Sequence, residues 1–229
     1  MTDADHPLAD LYSHAPPAVG ADYTSPSSRA QVARWFIGFT VAAEALSLVA
    51  LGSQRTLLNR GVGEVTLSEW NRSNDRVDGA ELLGLALLVV AAIFFLRWLH
   101  LSYRNQRALN ISMRFTPGWA VGWWFIPFAN LWRSRQVVDE LWRKTGEGDA
   151  ARSGSSLILI WWIAFLASNF LERLAAVTGS STFDDLKRRN LLFGLSHAAA
   201  LAAGVCLFVL VGRLSARQEE TAERVMSVS

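Results

Sequence analysis

The chain consists of long apolar runs separated by polar connections, and the runs lack the alternating polar face that elements of a soluble core carry. A helix needs about 20 mostly apolar residues to cross the roughly 30 Å hydrocarbon core of a bilayer. Four runs reach that length once their flanking residues are counted. We therefore predict an all-α integral membrane protein with four transmembrane helices, over residues 33–52, 81–101, 153–172 and 190–213.

A fifth apolar run, residues 117–132, differs from the other four in carrying Pro127 in its interior and four tryptophans. As a helix its apolar part would extend only about 22 Å, and proline interrupts a helix. Tryptophan concentrates at the boundary between membrane and water. The run therefore predicts an interfacial or re-entrant segment, with a fifth crossing as the alternative.

Two of the polar connections carry helix signals. Thr66 and Glu69 have the spacing of a capping box, which predicts a short amphipathic helix over residues 66–80, before the second span. Residues 133–145 predict a second amphipathic helix, in which Glu140 and Lys144 stand at i,i+4 spacing.

The two ends of the chain differ from the apolar middle. Residues 1–28 hold four of the six prolines and no Lys or Arg, which is typical of a flexible tail. We therefore divide the chain into a disordered N-terminal tail (1–29), a polytopic membrane domain (30–215) and a C-terminal tail (216–229).

Composition supports the membrane class and excludes several others. The chain is 51% hydrophobic and only 18% charged, and its net charge of +2 supplies no basic field for nucleic acid. The single cysteine, Cys206, lies in an apolar run and is expected to pack there. No metal-binding, nucleotide-binding or hydrolase motif occurs, so we expect no cofactor, no metal and no catalytic residue.

The cations are distributed unevenly along the chain. With four spans, the N-terminus, the 97–152 connection and the C-terminus share one side of the membrane and carry fourteen of the 22 Lys and Arg residues. Since the richer side usually faces the cytoplasm, both termini are predicted to be cytoplasmic in a cell membrane.

Glu44 is the one acidic residue well inside a predicted span. An ionisable group there costs a few kcal/mol and points to a functional site. At 1.5 Å per residue, Glu44 lies about 12 Å and His197 about 9 Å below the same boundary, which Asn169 approaches from the third span. We predict an intramembrane polar cluster of these three residues, which would relay protons or bind a small solute, or else only hold the helices together.

The stretch Phe95–Gly146 resembles the bacterial membrane family known as domain of unknown function 4328. The family pattern is an aromatic–His–Arg/Asn tract, a Trp/Gly/Pro block and an acidic–x–x–Trp–Arg helix. Its matching positions here are Trp98, His100, Arg104, Asn105, Pro117, Gly118, Trp119, Gly122, Trp123, Phe125, Pro127, Asn130, Leu131, Glu140 and Trp142. Where the family usually has a proline, this chain has Arg133–Arg135, so the 133–145 helix is free to begin earlier. The resemblance implies a multi-pass architecture and no particular activity.

Two further patterns concern partners. His100, Arg104, Arg107 and Arg114 crowd the end of the second span, either as a pocket for an anionic headgroup or as ordinary cationic flanks. Small residues four apart, as in Ala200–Gly204, allow close helix packing within one chain or between two copies.

We expect a non-enzymatic membrane protein that acts through lipid or protein contacts, including a homo-oligomer. The alternative is a transporter or channel subunit that uses Glu44 and His197.

Overall fold

The computed structural model describes residues 19–61, 63–146 and 155–228, which form six α-helices and no strand. Four of the helices are long and apolar enough to cross a membrane, which confirms the predicted all-α membrane class. The helices are α1 (Ser27–Arg60), α2 (Leu67–Ala108), α3 (Pro117–Gly122), α4 (Asn130–Lys144), α5 (Ser156–Val177) and α6 (Phe183–Val228).

The four long helices stand side by side. Helix α1 packs against both α2 and α6, and α6 packs against α5, so along these main contacts the order is α2, α1, α6, α5. Residues 63–66 and 178–182 lie at one end of this row, which we call the hairpin end. Residues 109–146 lie at the other, the motif end, where Gly20 also contacts Ala108 and Met226. At the motif end α2 and α6 also hydrogen-bond to each other directly.

Three of the four long helices, α1, α2 and α6, extend well beyond the thickness of a bilayer. The 46 residues of α6 would measure about 69 Å, against a hydrocarbon core of about 30 Å. At the motif end, Gln218 is fully buried and donates to the Ser102 hydroxyl of α2. The residues predicted as a C-terminal tail continue α6 as far as Val228, because nothing after Gly212 breaks the helix and Gln218 and Ala222 pack inward.

The last residues of the predicted N-terminal tail, 19–29, belong to the described part of the chain. Its residues 1–18 lie outside the described residues. The next residues pack onto the motif end, where Asn105 donates to the carbonyl of Thr24 (2.7 Å) and accepts from its amide (3.3 Å). Residues 27–29 already belong to α1.

The amphipathic helix predicted over residues 66–80 is not a separate element. Its capping box is present, since Thr66 and Glu69 each accept from the backbone amide of the other. The helix then runs without a break into the second span, because Gly79 alone does not stop it. The buried face continues as Val77 and Ala80, which pack against Leu51 of α1.

The apolar run 117–132 does not form a fifth crossing. Helix α3 has six residues, a 3-10 turn covers Trp123–Phe125, and Phe128 has φ of +63° in the turn that follows Pro127. Helix α4 then begins at Asn130, three residues before the sequence-based boundary.

Candidate functional site

Glu44 and His197 form a hydrogen-bonded pair between α1 and α6. The Oε2 atom of Glu44 lies 2.7 Å from Nδ1 of His197, and each side chain is 17% exposed. The two helices approach closely just beside the pair, where a Cβ on Gly204 would lie 2.6 Å from Cγ2 of Val41. Val41 is one turn from Glu44 and Gly204 is two turns from His197, so the close approach holds both side chains on facing surfaces.

Asn169 does not join this pair. Its side-chain amide donates to the carbonyl of Phe165, one turn earlier in the same helix (2.8 Å). The contact between α5 and α6 is made instead by Ser196, whose hydroxyl donates to the carbonyl of Ser168 (3.0 Å). The predicted cluster of three residues is thus a cluster of two.

Two carboxylates that the sequence analysis did not single out stand beside the pair. Gly84 of α2 lies at the same level as Ala43 of α1, since a Cβ on Gly84 would be 3.9 Å from the Cβ of Ala43. Glu81 is three residues before Gly84 and therefore lies about 4.5 Å nearer the hairpin end. Glu172 of α5 is one turn, about 6 Å, beyond Ser168 in the same direction. Both carboxylates interact electrostatically with His197.

Each of the four long helices therefore contributes one ionisable group to this region. We call Glu44, Glu81, Glu172 and His197 the ionisable cluster. Glu81 and Glu172 border apolar runs in the sequence, where acidic residues look like ordinary flanks of a span. Only the packing of α2 and α5 beside α1 and α6 places them near His197.

An amide network lies between the ionisable cluster and the hairpin end. Asn190 donates to the side-chain oxygen of Gln54 (2.9 Å) and to the carbonyl of Leu51 (3.1 Å). Gln54 in turn donates to Asn74 (2.8 Å). The network joins α1, α2 and α6 through side-chain amides, which are also able to hydrogen-bond to water.

At the motif end, several motif residues hold elements together. The indole of the buried Trp98 donates to the Ser215 hydroxyl of α6 (2.9 Å). His100 Nδ1 hydrogen-bonds to the carbonyl of Pro117 (3.2 Å), which attaches the start of α3 to α2. Asn105 binds the backbone of Thr24, as described above.

Glu140 connects α4 to α2 and to the segment that follows α2. It accepts from the Tyr103 hydroxyl (3.0 Å) and from the backbone amide of Arg114, and the same hydroxyl contacts the carbonyl of Val137 (2.8 Å). Burial, followed by the Glu140 carboxylate, raises the pKa of Tyr103 above its ordinary value. The hydroxyl therefore stays protonated and acts as a structural donor.

Trp124 bridges the two outer helices of the row. Its ring centroid lies 5.1 Å from that of Phe95 in α2 and 6.1 Å from that of Trp161 in α5. Trp119 and Trp123 pack on each other at 4.9 Å, and a Cβ on Gly122 would lie 3.3 Å from the Trp119 ring.

Residues 117–132, which we call the motif segment, otherwise present apolar side chains outward. Five of them are between 44% and 77% exposed: Trp119, Phe125, Phe128, Leu131 and Trp132. Gly118 and Pro127 lie on the same exposed stretch.

Arginines stack on aromatic rings around this surface. The Arg133 guanidinium lies 5.1 Å from the Trp123 centroid, and Arg135 lies 5.1 Å from that of Trp162. Arg217 of α6 stacks on Trp142 of α4 at 4.0 Å.

The four candidate headgroup ligands do not converge on one point. His100 bonds to Pro117 as described above, and the Arg114 guanidinium stacks on the Phe115 ring at 5.4 Å. Arg104 and Arg107 line a cavity of about 350 Å³, together with Asp22.

The fold defines the class: an all-α protein with four helices able to cross a membrane and an aromatic segment at one end. Residues 63–216 match the model of a family described as domain of unknown function (DUF4328), and the chain therefore belongs to that family. No curated protein and no solved structure matches the chain. The matched range contains the whole motif segment and His197, whereas Glu44 lies before it.

Proposed function

We propose that the protein is a non-enzymatic, multi-pass protein of a bacterial cell membrane that acts by binding anionic lipid headgroups at its motif end. The observation that carries this proposal is the exposed apolar surface of residues 119–132 bordered by arginines. Phe125 and Phe128 are 71% and 77% exposed, although water disfavours such exposure. A membrane boundary accommodates aromatic side chains of this kind.

The arginines favour an anionic surface. Arg133 and Arg135 lie against Trp rings, which orders their guanidinium groups beside the exposed apolar side chains. A cation near an anionic leaflet contributes about 1 kcal/mol. Because the cytoplasmic leaflet is the anionic one, both termini and the motif end are assigned to the cytoplasmic side.

Lipid retention tests this proposal. The protein is reconstituted in nanodiscs of phosphatidylcholine and phosphatidylglycerol, and native mass spectrometry counts the phosphatidylglycerol molecules that stay bound. The double variant Arg133→Gln, Arg135→Gln is expected to weaken this binding about thirtyfold, as two lost contacts of about 1 kcal/mol each imply.

The matched control removes two exposed arginines at the hairpin end, Arg72→Gln and Arg188→Gln, and should leave phosphatidylglycerol binding unchanged. Equal loss in both double variants, or none in either, would overturn the proposal. A protein that copurifies in fixed ratio and is released by the Arg133 and Arg135 changes would assign the motif end to a protein contact instead.

The Glu44–His197 pair favours a second candidate, a subunit of a proton-coupled transporter. Ionisable groups inside a membrane are costly and often mark ion or proton paths. A carboxylate and an imidazole 2.7 Å apart are able to share and transfer a proton.

Proteoliposomes that contain a pH-sensitive dye test this candidate. Under an imposed pH gradient, Glu44→Gln and His197→Gln should each lower proton flux at least tenfold. Glu220→Gln, which removes an exposed carboxylate at the motif end, serves as the control. Flux that is the same in all four proteins would remove the transport candidate.

A further inference from the structure

We infer that the Glu44–His197 pair exchanges protons with the water at the hairpin end only, by way of Glu81 and Glu172. This inference concerns the same pair as the transport candidate, but it does not require transport. Even if no protons cross the membrane, the pair still exchanges protons with the water on one side of it.

The motif side of the pair is closed by ring and aliphatic packing. Phe36 of α1 lies two turns from Glu44, about 12 Å toward the motif end, and stacks on Phe94 of α2 with ring centroids 4.8 Å apart. On α6, Leu210 and Val211 are fully buried. Trp124 fills the space between α2 and α5, as its contacts with Phe95 and Trp161 show.

The hairpin side of the pair carries polar groups beside the small apolar contact of Leu51 with Val77 and Ala80. Glu81 and Glu172 stand about one turn nearer that end, on the two outer helices, and Glu172 is exposed. The amide network of Gln54, Asn74 and Asn190 follows beyond them. Carboxylates and amides hold water, and water carries protons between groups that do not touch.

Two other charged groups reach the ionisable cluster from the hairpin end. On the motif side, the Arg34 guanidinium lies ten residues, about 15 Å, from Glu44 and stacks on the Phe208 ring (4.2 Å). Asp78 of α2 and Arg189 of α6 interact electrostatically with Glu81. Arg189 lies eight residues before His197, about 12 Å along the helix, and stacks on Phe193 at 5.5 Å. Asp78 and Arg189 therefore lie where the proposed proton path meets water.

Each step of the exchange moves one proton and changes no other bond. Hydronium in the water at the hairpin end gives its proton to the carboxylate of Glu81 or Glu172 and becomes water. The carboxyl group then releases the proton through bridging water to the Glu44–His197 pair and is again a carboxylate. Release follows the same route in reverse.

The experiment measures the sidedness of His197 protonation. Protein labelled with ¹⁵N-histidine is reconstituted in proteoliposomes that are fractionated to one orientation through a C-terminal tag. The pH is then changed on one side of the membrane, and the imidazole nitrogen signals are followed by solid-state NMR. The chain has four histidines, so the His197 signal is assigned from its loss in His197→Gln.

A pH change on the hairpin side should alter His197 protonation at least tenfold faster than one on the motif side. The double variant Glu81→Gln, Glu172→Gln should slow the hairpin-side response at least tenfold. The matched control, Glu64→Gln with Asp184→Asn, removes two exposed carboxylates at the same end and should respond like the original protein.

A variant at the opposite end provides an independent measurement. Trp124→Ala opens the packing between α2 and α5 and should accelerate the response to a pH change on the motif side. Equal rates from the two sides in the original protein would overturn the inference, as would a Glu81/Glu172 double variant that responds like its control. Because no flux is measured, either result is distinct from failure of the transport candidate.

Discussion

The carboxylate of Glu69 holds the first turn of α2 in place and makes that turn sensitive to pH. It accepts from Arg60 (2.8 Å) and from the amide of Thr66 (2.9 Å), and these contacts, with the bond to Arg60 the largest, lower the pKa of Glu69 from 4.5 to about 2. Because the folded pKa lies below the unfolded one, the capping box stabilises the start of α2 fully above about pH 4.5. That contribution is lost as the pH falls through about 2.

The measurement is amide exchange across residues 66–70, corrected for the intrinsic pH dependence of exchange. Protection should decline between pH 4.5 and 2 in the original protein. Glu69→Gln should show lower protection at neutral pH and little further change on acidification. A Glu69 midpoint close to 4.5 in an NMR titration would contradict the prediction.

For the Glu44–His197 pair, the sequence indicates the depth of each residue but not its partner. Both residues interrupt apolar runs, and the helical rise of 1.5 Å per residue is enough to place them at similar depth. Which side chains meet also depends on the rotation of each helix about its axis, and depth does not predict that rotation. Asn169 has a suitable depth but bonds to its own helix at Phe165, an option open to any Asn in a helix.

At the scale of elements, the sequence predicted the four spans well and their ends poorly. Apolar runs report where lipid surrounds a helix, so they locate the middle of each element. They do not report where hydrogen bonding stops. Helices α2 and α6 continue into polar sequence because no proline interrupts them and because buried side chains such as Ser102 and Gln218 meet across the bundle.

The close contact between α1 and α6 gives a prediction for Gly204. A Cβ there would lie 2.6 Å from Cγ2 of Val41, and a β-branched side chain has little freedom to move aside. Gly204→Ala should therefore lower the free energy of unfolding by about 1–3 kcal/mol. The small-residue pattern of α6 is used within the chain at this position.

Gly194→Ala in the same helix is the matched control, since a Cβ at Gly194 meets nothing within 4 Å. Helix propensity alone makes that change neutral or stabilising by up to about 1 kcal/mol. Unfolding in detergent micelles measures both variants. Restoration of stability by Val41→Ala in the Gly204→Ala protein would identify the clash as the cause, and equal stability of the two single variants would exclude it.

At the scale of the whole molecule, connectivity and charge agree. An even number of long helices returns the chain to the end where it began, so the segment at Gly20 and the end of α6 at Val228 meet at the motif end. The same end carries the motif segment and most of the cations. Sequence could predict this arrangement because it follows from counting spans. It could not predict the buried polar groups there, since residues such as Gln106 look like a solvated helix face.

Because the motif end carries most of the cations, we predict that the hairpin end faces the cell exterior. In a Cys206→Ala background, which removes the one cysteine of the chain, a single cysteine is introduced either at the hairpin end (Ser180→Cys) or at the motif end (Ser112→Cys). Both positions are exposed. A membrane-impermeant maleimide applied to intact cells should label Ser180→Cys and spare Ser112→Cys, and both should react once the cells are permeabilised.

The reverse pattern would place the motif end outside and contradict the assignment of its arginines to the anionic cytoplasmic leaflet. The labelling result also decides what the Glu44–His197 pair senses. If the hairpin end faces outward, a pair that exchanges protons only through Glu81 and Glu172 follows the external pH, while the arginines at the motif end contact the inner leaflet. The two proposed sites would then respond to opposite sides of one membrane.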